Sequence, residues 1–295
     1  MLTTELMNKI QRIELRTRRM VNDSFAGDYH SVFKGRGMEF DEVRLYQPGD
    51  EIRTIDWNVT ARTGHAYVKR YVEERELTVM LVVDMSASED FGSVNRFKRE
   101  VAAEITAVLS FAATTNNDKV GLLIFSDQVE LFIPPRKGRK HVLRLIRELL
   151  AFEPKGKGTD IKLALDTVNE LLKRKSILFL VSDFLADPES YRKELSMTNK
   201  RHDVIAVDLS DPMESSIGKV GLMAMEDPET GKVAWVDTSD LRWQQAFHKR
   251  LAAQETHKKR TFIQSGVDHI DIQTNEDYTV PLTSFFHQRA QRIRH

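Results

Sequence analysis

The sequence contains no cysteine among its 295 residues. Disulfide frameworks, thiolate zinc sites, iron–sulfur clusters and cysteine nucleophiles are therefore excluded. The chain also lacks an excess of charge of either sign, because 44 Lys and Arg residues are balanced by 44 Asp and Glu residues. This balance excludes a protein that is basic over its whole surface, so we expect no nucleic acid partner, although local basic patches remain compatible with it.

Long hydrophobic runs are missing as well. The strongest apolar runs, at residues 79–83 and 177–181, have the length of a strand, whereas a membrane-spanning helix needs roughly 20 residues. Residues 2–21 carry basic side chains along their whole length and no apolar stretch, which argues against a signal peptide. We therefore expect no membrane segment and a cytoplasmic location.

The pattern of the sequence changes at about residue 78. Residues 1–78 combine an amphipathic helix, ending near residue 21, with a charged region rich in glycine and aromatic residues that favours short extended pieces. In residues 79–295, short apolar runs alternate with helical periodicities, which predicts one α/β domain with a mostly parallel sheet. A β-hairpin is predicted as an insertion in this domain at about residues 218–238.

Acidic and basic side chains alternate through residues 39–62. The simplest interpretation is a subdomain held by salt bridges and anchored by Trp57 and Tyr46. The alternatives are a surface that docks a partner, or a brace behind the loop that follows residue 84.

Familiar catalytic signatures fail. Residues 156–159 lack both the first glycine of a phosphate-binding P-loop and the Ser or Thr after its lysine. We find neither a G-x-S-x-G elbow nor an H-E-x-x-H zinc helix, and the nine histidines are scattered. We therefore expect no catalytic residues and no enzymatic activity.

Oxygen-bearing side chains follow the first predicted core strand. Asp84, Ser86 and Ser88 form a D-x-S-x-S string at its carboxyl end. Ligands of open α/β sheets bind beyond the carboxyl ends of strands, and carboxylate and hydroxyl oxygens suit Mg²⁺ better than a soft metal. The alternative is a strand end followed by a helix cap.

Two further loops offer oxygen ligands to the same edge of the sheet. Thr159 lies in a Gly-rich loop before a predicted helix, and Asp183 ends a second buried strand. The alternatives are that Thr159 or Asp160 caps the helix and that Asp183 forms a turn. Together with the D-x-S-x-S string, these residues predict a site for Mg²⁺, or for Mn²⁺ or Ca²⁺ in its place.

The order D-x-S-x-S, then Thr, then Asp resembles the metal-ion-dependent adhesion site of von Willebrand factor A domains. All five positions of that motif are occupied, by Asp84, Ser86, Ser88, Thr159 and Asp183. The resemblance implies a doubly wound sheet with one antiparallel edge strand. It also implies Mg²⁺ held directly by the serines and through water by some acids, with one coordination position left for an acidic residue of a partner.

A second resemblance covers most of the chain. Motifs typical of the DUF58 family occur in order at residues 37–40, 44–50, 53–57, 61–64, 81–88, 120–126, 134–138 and 278–289. The resemblance implies a von Willebrand A-like protein associated with MoxR-type AAA+ ATPases, and it implies no enzymatic reaction.

These features lead to competing functional hypotheses. The first is a non-catalytic, Mg²⁺-dependent interaction module. It would be an adaptor or co-factor of a MoxR-type ATPase in protein maturation or complex assembly. That ATPase or its client would offer an Asp or Glu to the metal. The alternative is a metal-dependent phosphate-ester hydrolase with Asp84 as nucleophile. Ser86 stands where such a phosphatase would have its second acid, and no histidine is near in sequence. Nucleic-acid binding through basic residues, at the N-terminus and at 258–260, is a third hypothesis, which the zero net charge disfavours.

Overall fold

Apolar runs of strand length form the central sheet of the computed structural model, which describes residues 10–15, 17, 26–33, 38–73, 76–92, 96–215, 218–226 and 233–294. The sheet has six strands in the order β10-β7-β6-β3-β4-β5. The strands are β3 (Thr78–Asp84), β4 (Lys119–Phe125), β5 (Val129–Arg136), β6 (Ile177–Ser182), β7 (Asp203–Ser210) and β10 (Asp268–Gln273). Neighbours are parallel except for the edge pair β4–β5, which is antiparallel.

Helices cover both faces of this sheet. They are α1 (Ala26–Phe33), α3 (Lys98–Thr115), α4 (Arg139–Leu150) and α9 (Thr279–Arg294) on one face, and α5 (Ile161–Leu171), α6 (Pro188–Arg201) and α8 (Leu241–Ser265) on the other. Successive side chains of a strand point to opposite faces of the sheet, so each strand contributes to both layers. In β3, Val79 and Leu81 pack into the first core and Met80 and Val82 into the second, and all are buried. The predicted doubly wound α/β fold is confirmed.

The strand order reverses beside β3. The chain leaves β3 to form β4 and β5 on one side, and then returns to place β6 and β7 on the other side. The carboxyl ends of β3 and β6 therefore flank a topological switch point, where open α/β sheets bind their ligands.

The charged region forms a small separate sheet with a helix. β1 (Met38–Leu45) pairs antiparallel with β2 (Tyr67–Glu73), and α2 (Trp57–Thr63) lies between these strands in the sequence. Arg44 donates two hydrogen bonds to Asp50, at 2.8 and 2.7 Å, which supports the salt-bridged interpretation. The expected anchoring role of Trp57 is wrong, because its side chain is 66% exposed at the start of α2.

A second small sheet lies after a short helix, α7 (Pro212–Ser215). Its strands β8 (Leu222–Glu226) and β9 (Val233–Asp237) pair antiparallel within the predicted hairpin, whose turn lies outside the described residues. In the N-terminal segment, residues 10–15 and 17 are helical, and the rest of the predicted first helix is not described. The boundary between residues 78 and 79 remains a prediction. Within the part of the chain that the structure covers, no helix is long and apolar enough to span a membrane.

Candidate metal centre

The carboxylate of Asp84 is oriented by hydrogen bonds from the loop that follows β3 and from the end of β6. Asp84 ends β3 and is fully buried. Its Oδ1 accepts a hydrogen bond from the backbone N–H of Ser86 at 2.9 Å, and its Oδ2 accepts one from the hydroxyl of Ser182 at 2.7 Å. Ser182 is the last residue of β6, so this bond crosses the switch point. These two hydrogen bonds hold the carboxylate of Asp84 in one orientation.

The two serines of the motif lie at the start of a 3₁₀ turn, Ala87–Asp90. Among the described residues, the hydroxyl of Ser86 makes no capping bond to this turn, so the helix-cap alternative fails for Ser86. The hydroxyl oxygens of Ser86 and Ser88 instead lie 3.1 Å apart, and both side chains are buried. Their hydroxyl groups are therefore paired beside Asp84 and shielded from solvent.

Asp183 follows β6 directly and is buried. Its Oδ1 accepts a hydrogen bond from the backbone N–H of Leu185 at 3.2 Å, so the turn alternative also holds for this residue. Its Oδ2 accepts a hydrogen bond from the Nζ of Lys98 at 2.6 Å. Asp183 is thus both a turn residue and one half of a buried ion pair.

Lys98, the first residue of α3, is the cation that the sequence analysis missed. Its ammonium group is fully buried and also donates to Oε1 of Glu214 at 2.7 Å. Burial works against the charged form, but the negative charges of Asp183, Glu89 and Glu214 outweigh burial and raise the pKa of Lys98. No sequence motif marks this residue, because Asp183 lies 85 positions further along the chain.

Glu89 is a third acid at the site, also missed by the sequence analysis. It is 1% exposed, and neither of its carboxylate oxygens has a hydrogen-bond partner among the described residues. Ligand oxygens of Asp84, Glu89 and Asp183 all lie within 4.8 Å of one another. Burial and the charge of Asp183 raise the pKa of Asp84 to about 7 and the pKa of Glu89 well above its usual range. The one available signal was the position of Glu89, directly after the D-x-S-x-S string.

The loop that carries Thr159 reaches the same edge of the sheet. The backbone N–H of Ala87 donates to the carbonyl of Lys157 at 3.0 Å, and the N–H of Asp160 donates to the carbonyl of Ser126 at 2.9 Å. The carboxylate of Asp160 caps α5 by accepting from Leu163 N–H at 2.9 Å, as one alternative predicted. Thr159 is half-buried between these anchors, and its role as a ligand stays a prediction.

The residues present fit a hard divalent cation. Every candidate ligand atom is a carboxylate or hydroxyl oxygen, which Mg²⁺, Mn²⁺ and Ca²⁺ prefer. Asp84, Glu89 and Asp183 cluster here, and the ammonium group of Lys98 pairs only with Asp183 and Glu214 among the described residues. Uncompensated buried charge is expensive, so a cation at this place would relieve it. The same geometry disfavours Asp84 as a nucleophile, because both of its oxygens already accept hydrogen bonds and it is fully buried.

The sheet order, the antiparallel edge strand and the acidic switch point define a von Willebrand A-like α/β protein. The family model described as "Protein of unknown function DUF58" matches residues 42–257, and the chain belongs to this family.

The chain also resembles other proteins in sequence and in structure. The uncharacterized protein Rv1480 of Mycobacterium tuberculosis is 31% identical over 289 residues, which cover 97% of this chain and 90% of that protein. The uncharacterized protein YeaD of Bacillus subtilis is 27% identical over 107 residues, covering 36% of this chain and 25% of that protein. A crystal structure of an aerotolerance-related membrane protein from Bacteroides fragilis, with multiple mutations to serines, has a TM-score of 0.50 and 15% identity. It covers 73% of this chain and 99% of that chain, a likeness of fold.

Proposed function

We propose that this chain is a non-catalytic protein-interaction module whose contact surface includes a divalent cation. Asp84, Ser86, Ser88, Thr159 and Asp183 would hold Mg²⁺, or Mn²⁺ or Ca²⁺ in its place. When bound, the ion supplies a hard electrophilic position that a carboxylate of another protein can bind. The observation that carries the proposal is the cluster of Asp84, Glu89 and Asp183 within 4.8 Å at the switch point.

The partner that we propose is a MoxR-type AAA+ ATPase or its client, with this chain as an adaptor in protein maturation or complex assembly. The proposal rests on membership in the DUF58 family and on the chemistry of the site. A hard cation selects an anionic oxygen, so the partner should contribute an Asp or Glu. We also propose a cytoplasmic location, where such an ATPase would be found.

The test is a binding measurement between the purified chain and the MoxR-type ATPase of the same genome, with Mg²⁺ or with excess EDTA. We expect EDTA and Asp84→Asn each to weaken binding about tenfold or more, since ligand and ion are both needed. Asp127→Asn is the matched control, because this exposed acid follows β4 at the same edge of the sheet and its loss removes the same charge. Unchanged affinity in EDTA would contradict the proposed role of the metal.

A docking surface in the charged region is the rival mechanism. Residues 39–62 present the partly exposed pair Arg44–Asp50, together with Arg53. Docking through these charges would be screened by salt and abolished by charge reversal at Arg44 or Arg53, yet it would be indifferent to EDTA. That pattern of results would reject metal-dependent binding but would still support a MoxR-type ATPase as the partner.

A further inference from the structure

The carboxylate of Glu89 is buried without a hydrogen-bond partner among the described residues. Glu89 lies in the 3₁₀ turn directly after Ser88 and is 1% exposed. A buried carboxylate without water or donors is costly, so such a group either takes up a proton or pairs with a cation. In its charged form this carboxylate calls for a bound positive group, and the residues that the structure describes donate no hydrogen bond to it.

The neighbouring lysine does not fill this role. The Nζ of Lys98 donates to Asp183 at 2.6 Å and to Glu214 at 2.7 Å, and the structure shows no such bond to Glu89 in the residues that it describes. Among the described residues, the cluster and its ion pairs comprise the four carboxylates of Asp84, Glu89, Asp183 and Glu214 and the single ammonium group of Lys98. The net charge of the ionised cluster is therefore negative, at the place where Glu89 is left without a partner.

The spacing of the three acids fits one ion. Two oxygens that each bind an octahedral Mg²⁺ at about 2.1 Å lie about 3.0 Å apart when adjacent and about 4.2 Å apart when opposite. Ligand distances of up to about 2.4 Å, as for Ca²⁺, extend the opposite spacing to about 4.8 Å. The ligand oxygens of Asp84, Glu89 and Asp183 all fall within 4.8 Å of one another, a limit that matches the widest spacing of oxygens around one such ion.

We propose that Glu89 is a third carboxylate ligand of the ion and occupies the coordination position that a partner's acid would otherwise take. This inference rests on the proposed metal site and adds a ligand from outside the five predicted residues. Three carboxylates around a divalent ion leave a net charge of −1, so they bind the ion more tightly and reduce its attraction for a further carboxylate. A partner's Asp or Glu therefore has to displace Glu89.

The test is a calorimetric titration of the full chain with Mn²⁺ alone, combined with water-proton relaxation of the bound Mn²⁺. Glu89→Gln keeps the shape of the side chain, removes its charge, and should raise the Kd about tenfold or more. Glu89→Ala should add one exchangeable water to the ion and raise its relaxivity. Asp127→Asn, with the same change of charge, should keep both the Kd and the relaxivity of the wild type.

Folding is monitored by thermal unfolding in EDTA, where Glu89→Gln should be at least as stable as the wild type, since a buried charge is removed. Glu89→Asp provides a second variant, which keeps the charge but withdraws the carboxylate by one methylene group and should also weaken Mn²⁺ binding. An unchanged Kd and unchanged relaxivity in the Glu89 variants would overturn this inference while an Asp84-dependent site survives. A wild-type chain that binds no Mn²⁺ would overturn the proposed function as well.

Discussion

The hydroxyl of Ser182 donates a 2.7 Å hydrogen bond to the carboxylate of Asp84, and so ties the end of β6 to the end of β3. The same hydroxyl oxygen accepts the backbone N–H of Phe184 at 3.2 Å. Ser182 therefore fixes the direction of one candidate ligand and the path of the chain on both sides of another, Asp183.

Removal of this hydroxyl should weaken metal binding without unfolding the chain. Ser182→Ala leaves one oxygen of Asp84 without its donor, and losses of such supporting bonds lower metal affinity about tenfold or more. Ser182→Thr retains the hydroxyl and should restore affinity to within about threefold of the wild type. Mn²⁺ titration calorimetry on both variants provides the measurement. Equal affinities for Ser182→Ala and the wild type would show that Asp84 needs no such support.

Replacement of Lys98 should make stability depend on metal. Lys98→Met removes the ammonium group that pairs with Asp183 and Glu214, and loss of one partner from a buried ion pair destabilises by about 3–5 kcal/mol. Because a divalent ion can replace the missing positive charge, Mg²⁺ should raise the Tm of Lys98→Met by more than it raises the Tm of the wild type.

The matched control is Lys258→Met. Lys258 is also largely buried and pairs with Asp208 at 2.5 Å, and neither residue is one of the three clustered acids. This variant should lose stability and show the Mg²⁺ response of the wild type. Equal Mg²⁺ responses of the two lysine variants would contradict a special role for Lys98.

Hydrolysis of phosphate esters should be absent. Asp84 is fully buried, and both of its oxygens already accept hydrogen bonds, so it is poorly placed to attack a substrate. The purified chain with Mg²⁺ and p-nitrophenyl phosphate should release product at the rate of the buffer alone. A turnover that persists through purification and disappears in Asp84→Asn would reverse this conclusion.

His202 should make a contribution to stability that is lost in mild acid. This side chain is buried, and its Nδ1 accepts the backbone N–H of Ser176 at 3.2 Å. Burial, together with the charges of Arg201 and Lys175, lowers its pKa to about 4. The unfolded chain binds the proton from about pH 6.5 downward, so this contribution to stability is complete above pH 6.5 and is lost between about pH 6.5 and 4.

Urea unfolding at pH 7.5 and pH 5 measures this effect. A shift from about 6.5 to about 4 amounts to a loss of about 2 kcal/mol at pH 5. His202→Gln, which keeps an acceptor and does not titrate, should lose about 2 kcal/mol less than the wild type over the same change of pH. The comparison between the two proteins cancels the contributions of buried acids such as Asp84 and Asp208, whose raised pKa values act in the opposite direction. Parallel losses in both proteins would exclude His202 as the cause.

The core of the fold could be predicted because its signals are local. A continuous apolar run that ends in an acid predicted β3, and the structure places this strand at Thr78–Asp84. Helix α2 was missed because Val59, Thr60 and Thr63 are β-branched and weak helix formers. Its signal was Asp56, which caps the helix by accepting from the N–H groups of Asn58 and Val59.

The site was predictable only in part, for a similar reason. Asp84 and Asp183 could be assigned because each ends a buried strand, and parallel strands bring such residues to one edge. Lys98 and Glu214 meet Asp183 through the packing of α3 and α7, and the sequence contains no periodicity or motif that encodes this meeting. Glu89 was overlooked because an acid in a turn is most often solvated, whereas here Glu89 is buried.

The burial of the acidic cluster also has a kinetic consequence. Asp84, Ser86, Ser88 and Asp183 are each at most 5% exposed, so these side chains would release a bound ion only when the turn from Ala87 to Asp90 opens. The rate of exchange would then follow the rate of local opening and not the affinity of the site. A brief rinse with chelator would therefore remove less of the ion than a prolonged equilibration with excess EDTA.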